Sequence, residues 1–500
     1  MLAHRDWITP VLGGQPWLEK PPLYYWQAML SYSLFGVTDW AARLPSGVDA
    51  TLLVLGMYFF LRRFRRGYEL DGALIAASTA AVIGLSRAAA TDMPLAASFS
   101  LAMLAWWAWR ESGSRVFLAA FYALAALATL AKGPVAPVLA GAVIAIYALA
   151  ARDARSFWRT LWVPGILLFV AVAAPWYVLV QMRNPGFFET FFVEHNLERF
   201  SSNLYHHPQP FWFYVPVLLL AVMPWTVFAV AALVRTWRIW WSERMWMRPD
   251  AGAAAPENGL ALFACIWMLV PVVFFSLSKS KLPDYILPGV PAVGVLLAEY
   301  IRQNVEELDN PRPPRVLLVL HGLVASSPLF AALLIQFLVR QHRVPHDKVA
   351  LVALAITLVV ALIVVAMLSG RLGVRGLRFA TLIPVALALG TALKLGGAAL
   401  DETISSRTLA AEIASRQPRP MLLAIQGVRR EIDYGLEFYR NESPVHLDTD
   451  PVPTGEFLLV VRQDSPVAIA GRRAVLLGSY EPQQVDYYWV LPAQSVAQHP

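Results

Sequence analysis

The sequence has 500 residues, of which 57% are hydrophobic and only 15% are charged, and its mean hydropathy is +0.52. Soluble domains carry about a quarter charged residues, so this composition excludes a soluble protein and predicts one that crosses a membrane many times. The formal net charge of +7 does not indicate nucleic-acid binding, because much of it is arginine at the ends of apolar runs. The single cysteine, Cys265, excludes an intramolecular disulfide and a thiolate cluster, so any metal needs nitrogen and oxygen ligands.

The first 20 residues are polar and lack the apolar core of a signal peptide, and residues 1–46 as a whole are loop-like and aromatic. Residues 23–26 and Trp40 are amphipathic aromatic and apolar residues of the kind that settle at the level of lipid headgroups. We therefore predict that residues 1–46 form a loop with short helices along the membrane surface.

Residues 47–400 are predicted to form a transmembrane core of about twelve helices. Each apolar run in this region is long enough to cross about 30 Å of hydrocarbon at about 1.5 Å per residue. The runs cover residues 47–61, 72–86, 92–109, 116–131, 133–150, 160–181, 211–233, 259–278, 284–301, 315–339, 349–368 and 377–398.

Arginine distribution predicts the orientation of these helices. Alternate connections are rich in arginine and are therefore cytoplasmic, for example those with Arg62, Arg110, Arg152 and Arg235. The opposite connections, which face outward, are residues 1–46, 87–92, the loop 182–210, 279–284 and 340–348, together with everything after residue 400.

Residues 401–500 carry charges throughout and differ from the apolar core. A helix is predicted at Arg407–Arg416, and β-like runs occupy residues 421–426, 457–462 and 474–478. We predict a small periplasmic α/β domain with a structural or acceptor-orienting role.

The outward face contains Glu19 and Lys20 directly before two prolines. Proline fixes φ and removes an amide donor, so the pair cannot lie within a helix and is expected in extended backbone. An acid and a base on a stiff loop suit an active site, and a surface turn with a weak ion pair is the alternative.

Asp92 lies at the outer mouth of an apolar helix, two residues before Pro94. The helix dipole favours a negative charge there, and a carboxylate suits the deprotonation of an incoming hydroxyl. The alternative is an ordinary N-cap, which does not exclude catalysis.

Two further outward segments contain basic residues. His195 and Arg199 are four residues apart and would share one helical face, although an ordinary surface histidine is the alternative. Lys279 and Lys281 stand on the outer side against the positive-inside rule, which indicates a functional cause.

These outward residues suggest two kinds of ligand. Lys20, Arg43, Arg199 and Lys281 suit an anionic phosphate at headgroup level. Glu19 and His195 suit a divalent ion such as zinc, although they are only two ligands.

Short motifs in this chain resemble those of a known family. In chain order they are Asp6-Trp7-Ile8-Thr9-Pro10, Leu18-Glu19-Lys20-Pro21-Pro22-Leu23, Ala42-Arg43-Leu44-Pro45, Thr91-Asp92-Met93-Pro94-Leu95, Ala131-Lys132-Gly133-Pro134, Glu194-His195-Asn196 with Arg199-Phe200, and Lys281-Leu282-Pro283-Asp284-Tyr285-Ile286-Leu287-Pro288. The chain resembles the bacterial 4-amino-4-deoxy-arabinose lipid A transferases, within the larger group that includes protein O-mannosyltransferases. The likeness covers residues 1–300 by motif and the remainder by layout.

This resemblance implies a GT-C glycosyltransferase fold in the bacterial inner membrane, with a periplasmic active site. It implies transfer of a sugar from a polyprenyl phosphate, such as undecaprenyl phosphate, to lipid A, lipopolysaccharide or another envelope glycan or protein. The donor phosphate would be held by Lys20 and Arg199 with Tyr285 close by, zinc by Glu19 and His195, and Asp92 would act in catalysis. We expect a monomer that contacts membrane lipids and binds no nucleic acid.

One feature of the family is not found in the sequence. Family members usually begin with an additional transmembrane helix that leads into an Asp-Glu motif, whose Asp is the leading candidate for the catalytic base. The chain here opens just beyond that point, and Asp6 matches the Asp-Trp pair that follows the motif. We expect a misassigned start, and a truncated relative that is impaired in catalysis is the alternative.

A lipid or sugar transporter or flippase is the main rival interpretation, because a dozen helices suit it equally well. Transporters, however, tend to carry charge at the bilayer midplane on broken helices, often within repeated halves. Here the ionisable residues lie at the outer helix ends and no repeat is evident. We therefore favour a glycosyltransferase that acts by a single inverting displacement.

Overall fold

The computed structural model describes residues 1–2, 4–12, 14–198, 209–242, 259–306, 308, 312–339, 346–403, 405–417, 419, 421–465, 469 and 471–492. The chain divides into two compact units. The first contains residues 1–11, 16–330 and 351–387, and the second contains residues 12–15, 331–350 and 388–500.

Helices account for most of the first unit and extend into the second. In chain order they are α1 (Leu23–Phe35), α2 (Asp39–Phe64), α3 (Glu69–Ala77), α4 (Ala80–Leu85), α5 (Asp92–Ser112), α6 (Arg115–Lys132), α7 (Val135–Ala150), α8 (Ala154–Thr160), α9 (Val163–Arg183), α10 (Tyr214–Ala221), α11 (Thr226–Ser242), α12 (Gly259–Ser276), α13 (Ala292–Glu306), α14 (Arg315–Val339), α15 (His346–Ser369) and α16 (Leu377–Thr403). A π-helix (Glu189–Glu198) follows α9, and 3-10 turns occupy Phe211–Phe213, Pro283–Gly289 and Gly373–Gly376.

The prediction of a polytopic helical membrane protein is confirmed, because every predicted apolar run is helical over most of its length. Seven helices in the described part of the chain are long and apolar enough to cross a bilayer by themselves, and two bent pairs raise this number to nine, which is fewer than the twelve predicted. The run 72–86 forms two helices, and the run 211–233 is broken by a bend of 115° between Ala221 and Thr226. Pro224 lies in that break, where it cannot donate the hydrogen bond that a continuous helix requires.

Helix α5 is buried along nearly its whole length, and Asp92 begins it. Toward its other end, Trp106 and Trp107 are completely buried and pack against the rings of Tyr147 and Phe263. Large aromatic side chains contribute much of the apolar contact in a packed interior, and their aromatic geometry adds to the stabilisation. This packing fixes α5 and therefore the position of its first residue.

Helices α3 and α13 approach each other at two glycines. A Cβ atom added to Gly294 would lie 2.5 Å from the carbonyl oxygen of Gly72, and one added to Gly72 would lie 3.0 Å from that of Gly294. Glycine thus permits a backbone separation that alanine would oppose.

The second unit contains the predicted α/β domain. Its helices are α17 (Ser406–Arg416) and α18 (Arg430–Arg440). Two short strands near the start of the chain are β1 (Val11–Leu12) and β2 (Gln15–Pro16). The strands of the α/β domain are β3 (Leu422–Gln426), β4 (Val445–His446), β5 (Phe457–Arg462), β6 (Ala474–Tyr480) and β7 (Val485–Val490). The sheet order is β4-β3-β5-β7-β6. Strands β4 and β5 are parallel to β3, and β7 is antiparallel to both β5 and β6. The predicted helix and the three predicted strands are all present, whereas α18, β4 and β7 are additional.

Candidate active site

A cavity of about 510 Å³ opens where the start of α5 and the end of α6 meet the Pro283–Gly289 turn and the π-helix. Its polar lining is confined to a few side chains, and the remainder is apolar. The lining residues are Lys20, Thr91, Asp92, Leu95, Lys132, Pro134, Val135, Val138, Phe192, His195, Phe274, Phe275, Ser278, Leu282, Asp284 and Tyr285.

Asp92 is the first residue of α5, where the helix dipole favours a carboxylate. The residue at the cap position is Thr91, and no side chain makes a capping hydrogen bond there. The interpretation of Asp92 as an ordinary N-cap is therefore wrong. Its carboxylate instead lines the cavity.

Lys132 is the last residue of α6, directly before Gly133. Gly133 has a φ of +93°, and an added Cβ atom would lie 2.7 Å from the ring of Phe191. Both the left-handed backbone and the close ring require glycine at this position. The chain turn at Gly133 thus ends α6 at the lysine that lines the cavity.

Lys132 lies between two carboxylates from different parts of the chain. Its ammonium donates to Asp92 Oδ1 and lies 3.4 Å from Asp284 Oδ2. The same nitrogen is 5.1 Å from the centre of the Tyr285 ring, within cation–π range. We call Asp92, Lys132 and Asp284 the ion triad.

Glu19 and Lys20 lie in a turn over residues 18–20, directly before α1. The pair is outside any helix, as predicted, but the predicted extended backbone is wrong. Proline restricts only the residue immediately before it, so Leu18 and Glu19 are able to turn. Lys20 lines the cavity and attracts the Asp92 carboxylate electrostatically.

The structure brings Glu19 and His195 together, as the proposed metal pair requires. His195 Nε2 lies 3.6 Å from Glu19 Oε1, and the histidine side chain is only 9% exposed. It belongs to the π-helix, whose i→i+5 hydrogen bonds change the side-chain spacing from that of the predicted α-helical face. Arg199, the other member of that predicted pair, lies outside the described residues, as do His206 and His207.

The number of available ligand side chains shows how complete a zinc site would be here. Zinc in proteins takes three or four protein ligands, of which Glu19 and His195 would supply two. No third His, Cys, Asp or Glu side chain joins them among the residues that the structure describes. A metal ion held here by described residues alone would therefore need water or the ligand itself to complete its coordination.

The other predicted phosphate-binding residues have different positions. Tyr285 lines the cavity, but Lys281 and Arg43 do not. Lys281 is buried, its ammonium donates to the carbonyl oxygen of Ser278, and burial lowers its pKa. It borders a neighbouring cavity of about 350 Å³ together with Lys279, and Arg43 is exposed on α2.

Asp6 has a structural role near the start of the chain. Its carboxylate accepts hydrogen bonds from the backbone N–H groups of Ile8 and Thr9 and pairs with Arg183 at 2.9 Å. Burial by itself would raise the pKa of Asp6, but these three partners hold it below its usual value. Asp6 does not line the cavity.

The sequence analysis did not assign roles to Lys132 and Asp284, although both lie in motifs that carry the family resemblance. Lys132 had a usable signal, since a lysine at the outer end of an apolar helix opposes the positive-inside rule. No comparable sequence signal identified Asp284, because it approaches Lys132 only in the folded chain.

Comparison with known proteins relates the chain to membrane glycosyltransferases. Residues 19–178 match the family described as dolichyl-phosphate-mannose-protein mannosyltransferase. An undecaprenyl phosphate-α-4-amino-4-deoxy-L-arabinose arabinosyl transferase of Serratia proteamaculans is 31% identical over 332 residues, which are 65% of this chain and 56% of that protein. The enzyme of the same name from Aeromonas salmonicida is 28% identical over 491 residues, or 95% of this chain and 85% of its own length.

A solved structure has the same fold. The crystal structure of ArnT from Cupriavidus metallidurans bound to undecaprenyl phosphate has a TM-score of 0.75 and 22% sequence identity, and covers all of this chain and 92% of its own. The apo structure of that protein gives a TM-score of 0.72. The resemblance drawn from the motifs and the predicted GT-C fold are therefore confirmed.

Proposed function

We propose that this chain, which is similar to undecaprenyl phosphate-4-amino-4-deoxy-L-arabinose arabinosyl transferases and to protein mannosyltransferases, is an integral-membrane glycosyltransferase. It moves a sugar from a polyprenyl phosphate, such as undecaprenyl phosphate, to an acceptor on the periplasmic side. Lipid A is the acceptor that the family resemblance of the motifs favours, ahead of another envelope glycan or a protein. The observation that carries this proposal is a cavity with a cation, a paired carboxylate and an apolar wall at the outer ends of the helices.

The lining of the cavity suits both parts of a lipid-linked donor. Leu95, Val135 and Val138 supply an apolar wall of the kind that an isoprenoid chain would contact. Lys20 supplies an ammonium for the phosphate, and Tyr285 lines the same space. Arg199 would add a guanidinium, as the resemblance implies. Lys281 and Arg43 fit this role less well, because neither lines the cavity.

The ion triad gives Asp92 a defined charge state for catalysis. An ammonium beside a carboxylate favours its ionised form, in which it accepts a hydrogen bond from an acceptor hydroxyl. In the proposed step, the acceptor oxygen forms a bond to the anomeric carbon while the bond from that carbon to the phosphate oxygen breaks. The phosphate leaves with the electron pair, stabilised by Lys20, and the hydroxyl proton passes to Asp92.

Glu19 and His195 are the residues that would hold a divalent ion, and zinc suits their carboxylate and imidazole. Such an ion would supply positive charge beside the leaving phosphate. The donor-binding and proton-transfer roles of Lys20 and Asp92 do not depend on it.

The rival function is transport of a lipid or sugar. A transporter needs charged groups near the bilayer midplane that are reached alternately from both sides. The polar groups of this cavity lie instead at the outer helix ends, around the first residue of α5 and the last residue of α6. This location favours chemistry on one face of the membrane.

Reconstitution in proteoliposomes tests the proposed function. Purified chain is mixed with an undecaprenyl phosphate-linked sugar and lipid A, and the glycosylated product is measured by mass spectrometry. We expect transfer by the parent and a loss of about 100-fold or more in Lys20→Ala and Asp92→Ala, since each removes a charged group from the reacting centre.

Lys279→Ala is the matched control, because Lys279 is an exposed outer cation that does not line the cavity. It should retain parental activity. Equal activity of Lys20→Ala, Asp92→Ala and the parent would contradict the assignment, and movement of the donor across the bilayer without product would favour the transporter.

A further inference from the structure

We infer that Asp284 is a positioning residue, which is protonated and donates a hydrogen bond to the Asp92 carboxylate. This inference rests on the proposed function, in which Asp92 accepts a proton from the acceptor. It adds a second carboxyl group to the proton-transfer step. It also makes the activity depend on a proton that Asp284 holds.

The carboxyl groups of Asp92 and Asp284 are close neighbours in the ion triad. Both contact the ammonium nitrogen of Lys132, and the longer distance, 3.4 Å, is to Asp284 Oδ2. The two groups also lie within hydrogen-bonding reach of each other. Ionised carboxylates only accept hydrogen bonds, so a hydrogen bond between these groups requires a proton on one of them. Lys132 balances the charge of one carboxylate, and the shared proton neutralises the other.

The surroundings of the two carboxyl groups indicate which one is protonated. Asp92 begins α5, where the helix dipole stabilises a negative charge. It also has the shorter contact with Lys132, and Lys20 attracts it as well. Asp284 belongs to a short 3-10 turn, and its distance to the shared ammonium is longer. Asp92 is therefore ionised, and the proton resides on Asp284.

A protonated Asp284 affects Asp92 before and after the transfer step. Its O–H group and the Lys132 ammonium are two donors that fix the orientation of the Asp92 carboxylate, which prepares it for the acceptor hydroxyl. Once Asp92 accepts the hydroxyl proton, the pair holds two protons. Asp284 is 26% exposed against 13% for Asp92. The pair therefore returns one proton to solvent through Asp284, which restores the starting state.

The titratable groups around Asp284 come from several elements. The Pro283–Gly289 turn packs against α4, α5, α10 and α12. Helices α4 and α12 contain no charged residue. The groups that the other elements and the cavity wall direct toward Asp284 are Asp92, Lys132, Tyr214, Tyr285, Lys20 and His195. Asp92 is the carboxyl group among them, so it is the partner with which Asp284 shares the proton.

Three variants of the full chain test the role of Asp284. Asp284→Asn replaces the O–H donor with an N–H donor that does not titrate, Asp284→Leu keeps the shape without a donor, and Asp284→Glu keeps the carboxyl group. Transfer from an undecaprenyl phosphate-linked sugar to lipid A in proteoliposomes gives kcat/KM. We expect kcat/KM of Asp284→Asn to exceed that of Asp284→Leu about 10- to 100-fold, as for a hydrogen bond to a charged group.

The pH dependence of kcat/KM identifies the proton. In the parent, kcat/KM should fall about tenfold per pH unit once Asp284 loses its proton at alkaline pH, because the pair then consists of two carboxylates. Asp284→Glu should keep this fall and Asp284→Asn should lack it. A fall that arose from Lys20 or His195 would persist in Asp284→Asn. A purely structural role of Asp284 would lower the rates without changing the shape of the profile.

Infrared spectroscopy detects the proton independently of activity. The spectrum of the parent minus that of Asp284→Asn should contain, at neutral pH, the C=O band of a protonated carboxyl group. That band should shift in D₂O, because its proton exchanges. Thermal unfolding in detergent verifies that each variant is folded.

Three results would overturn the inference. The first is a difference spectrum without the band of a protonated carboxyl group. The second is an Asp284→Asn variant that keeps the parental alkaline fall, and the third is one no more active than Asp284→Leu. A parent that transfers no sugar contradicts the proposed function instead, and the infrared spectrum still reports the charge state of Asp284, so the two failures are distinguishable.

Discussion

Lys132 is the residue on which the arrangement of the cavity depends most directly. It joins the end of α6 to the start of α5 and to the Pro283–Gly289 turn through two carboxylates. Its side chain is 15% exposed, so water compensates these charges only partly. A cation in this position both orients Asp92 and reduces the repulsion between the two carboxylates.

Substitution of this lysine should therefore affect stability and activity together. Lys132→Met keeps the length of the side chain but leaves two carboxylates without their shared cation. Breaking a buried pair in this way costs about 3 kcal/mol, and we expect transfer to fall about 100-fold or more. Thermal unfolding in detergent and the transfer assay measure the two effects.

Lys279→Met is the control for Lys132→Met, since it removes an exposed cation from the same side of the protein. Its unfolding temperature and activity should stay close to those of the parent. A Lys132→Met variant as stable and as active as this control would contradict the role of the ion triad.

Glu19 and His195 permit a direct test of metal binding. We expect the purified chain to contain a divalent metal, with zinc the ion that its ligands favour, and His195→Ala and Glu19→Gln to lose most of it. Elemental analysis after dialysis gives the metal content independently of activity. The same metal content in the parent and both variants would assign the metal to another site or to contamination.

Among the elements, α3 and α13 show how backbone contact fixes the helical core. The carbonyl oxygens at Gly72 and Gly294 leave no room for a methyl group between these helices. Small residues let helices approach closely in membrane proteins. Van der Waals contact then drives much of the helix association, because lipid tails are as apolar as the side chains and the hydrophobic effect contributes little.

Gly294→Ala should separate α3 and α13 and lower the free energy of unfolding by about 1–3 kcal/mol. Gly141→Ala in α7 is the matched control, because nothing lies within 4 Å of its added Cβ atom. That control should change stability by less than about 1 kcal/mol, since alanine favours helix. Thermal unfolding of both variants in one detergent provides the comparison, and equal losses of stability would contradict the close contact.

At the scale of the whole molecule, the fold is a polytopic membrane protein with a separate α/β unit. Arginine-rich connections predict which side of the membrane each segment occupies. The connection between α5 and α6 is predicted to be cytoplasmic, and the residues after 400 are predicted to be periplasmic. The proposed function needs this orientation, because a periplasmic acceptor must reach the outer helix ends.

Thiol labelling tests this orientation. Thr454→Cys places a thiol at an exposed position of the α/β unit, and Ser112→Cys places one at the exposed end of α5. A membrane-impermeant maleimide should label Thr454→Cys in spheroplasts and Ser112→Cys only after lysis. The natural Cys265 is buried, which keeps the background low. The reverse pattern of labelling would contradict the predicted orientation.

The sequence by itself determined the class of the protein and most of its helices. Apolar length and the distribution of charge are local properties that the bilayer imposes, so they are readable without tertiary contacts. The motifs at Glu19-Lys20, Asp92 and His195 also identified three segments that meet at one cavity. Predictions that required side-chain direction were less successful, as Lys281 and the capping role of Asp92 demonstrate.

The tertiary structure decided which charged groups act together. Lys132 is 40 residues from Asp92 and 152 from Asp284 in the chain, so no local pattern connects them. Their ion pairs exist because buried packing fixes α5 and because Gly133 ends α6 at the lysine. Electrostatic interaction depends on distance and desolvation, which arise only when the helices pack. The grouping of Asp92, Lys132 and Asp284 is therefore a property of the fold.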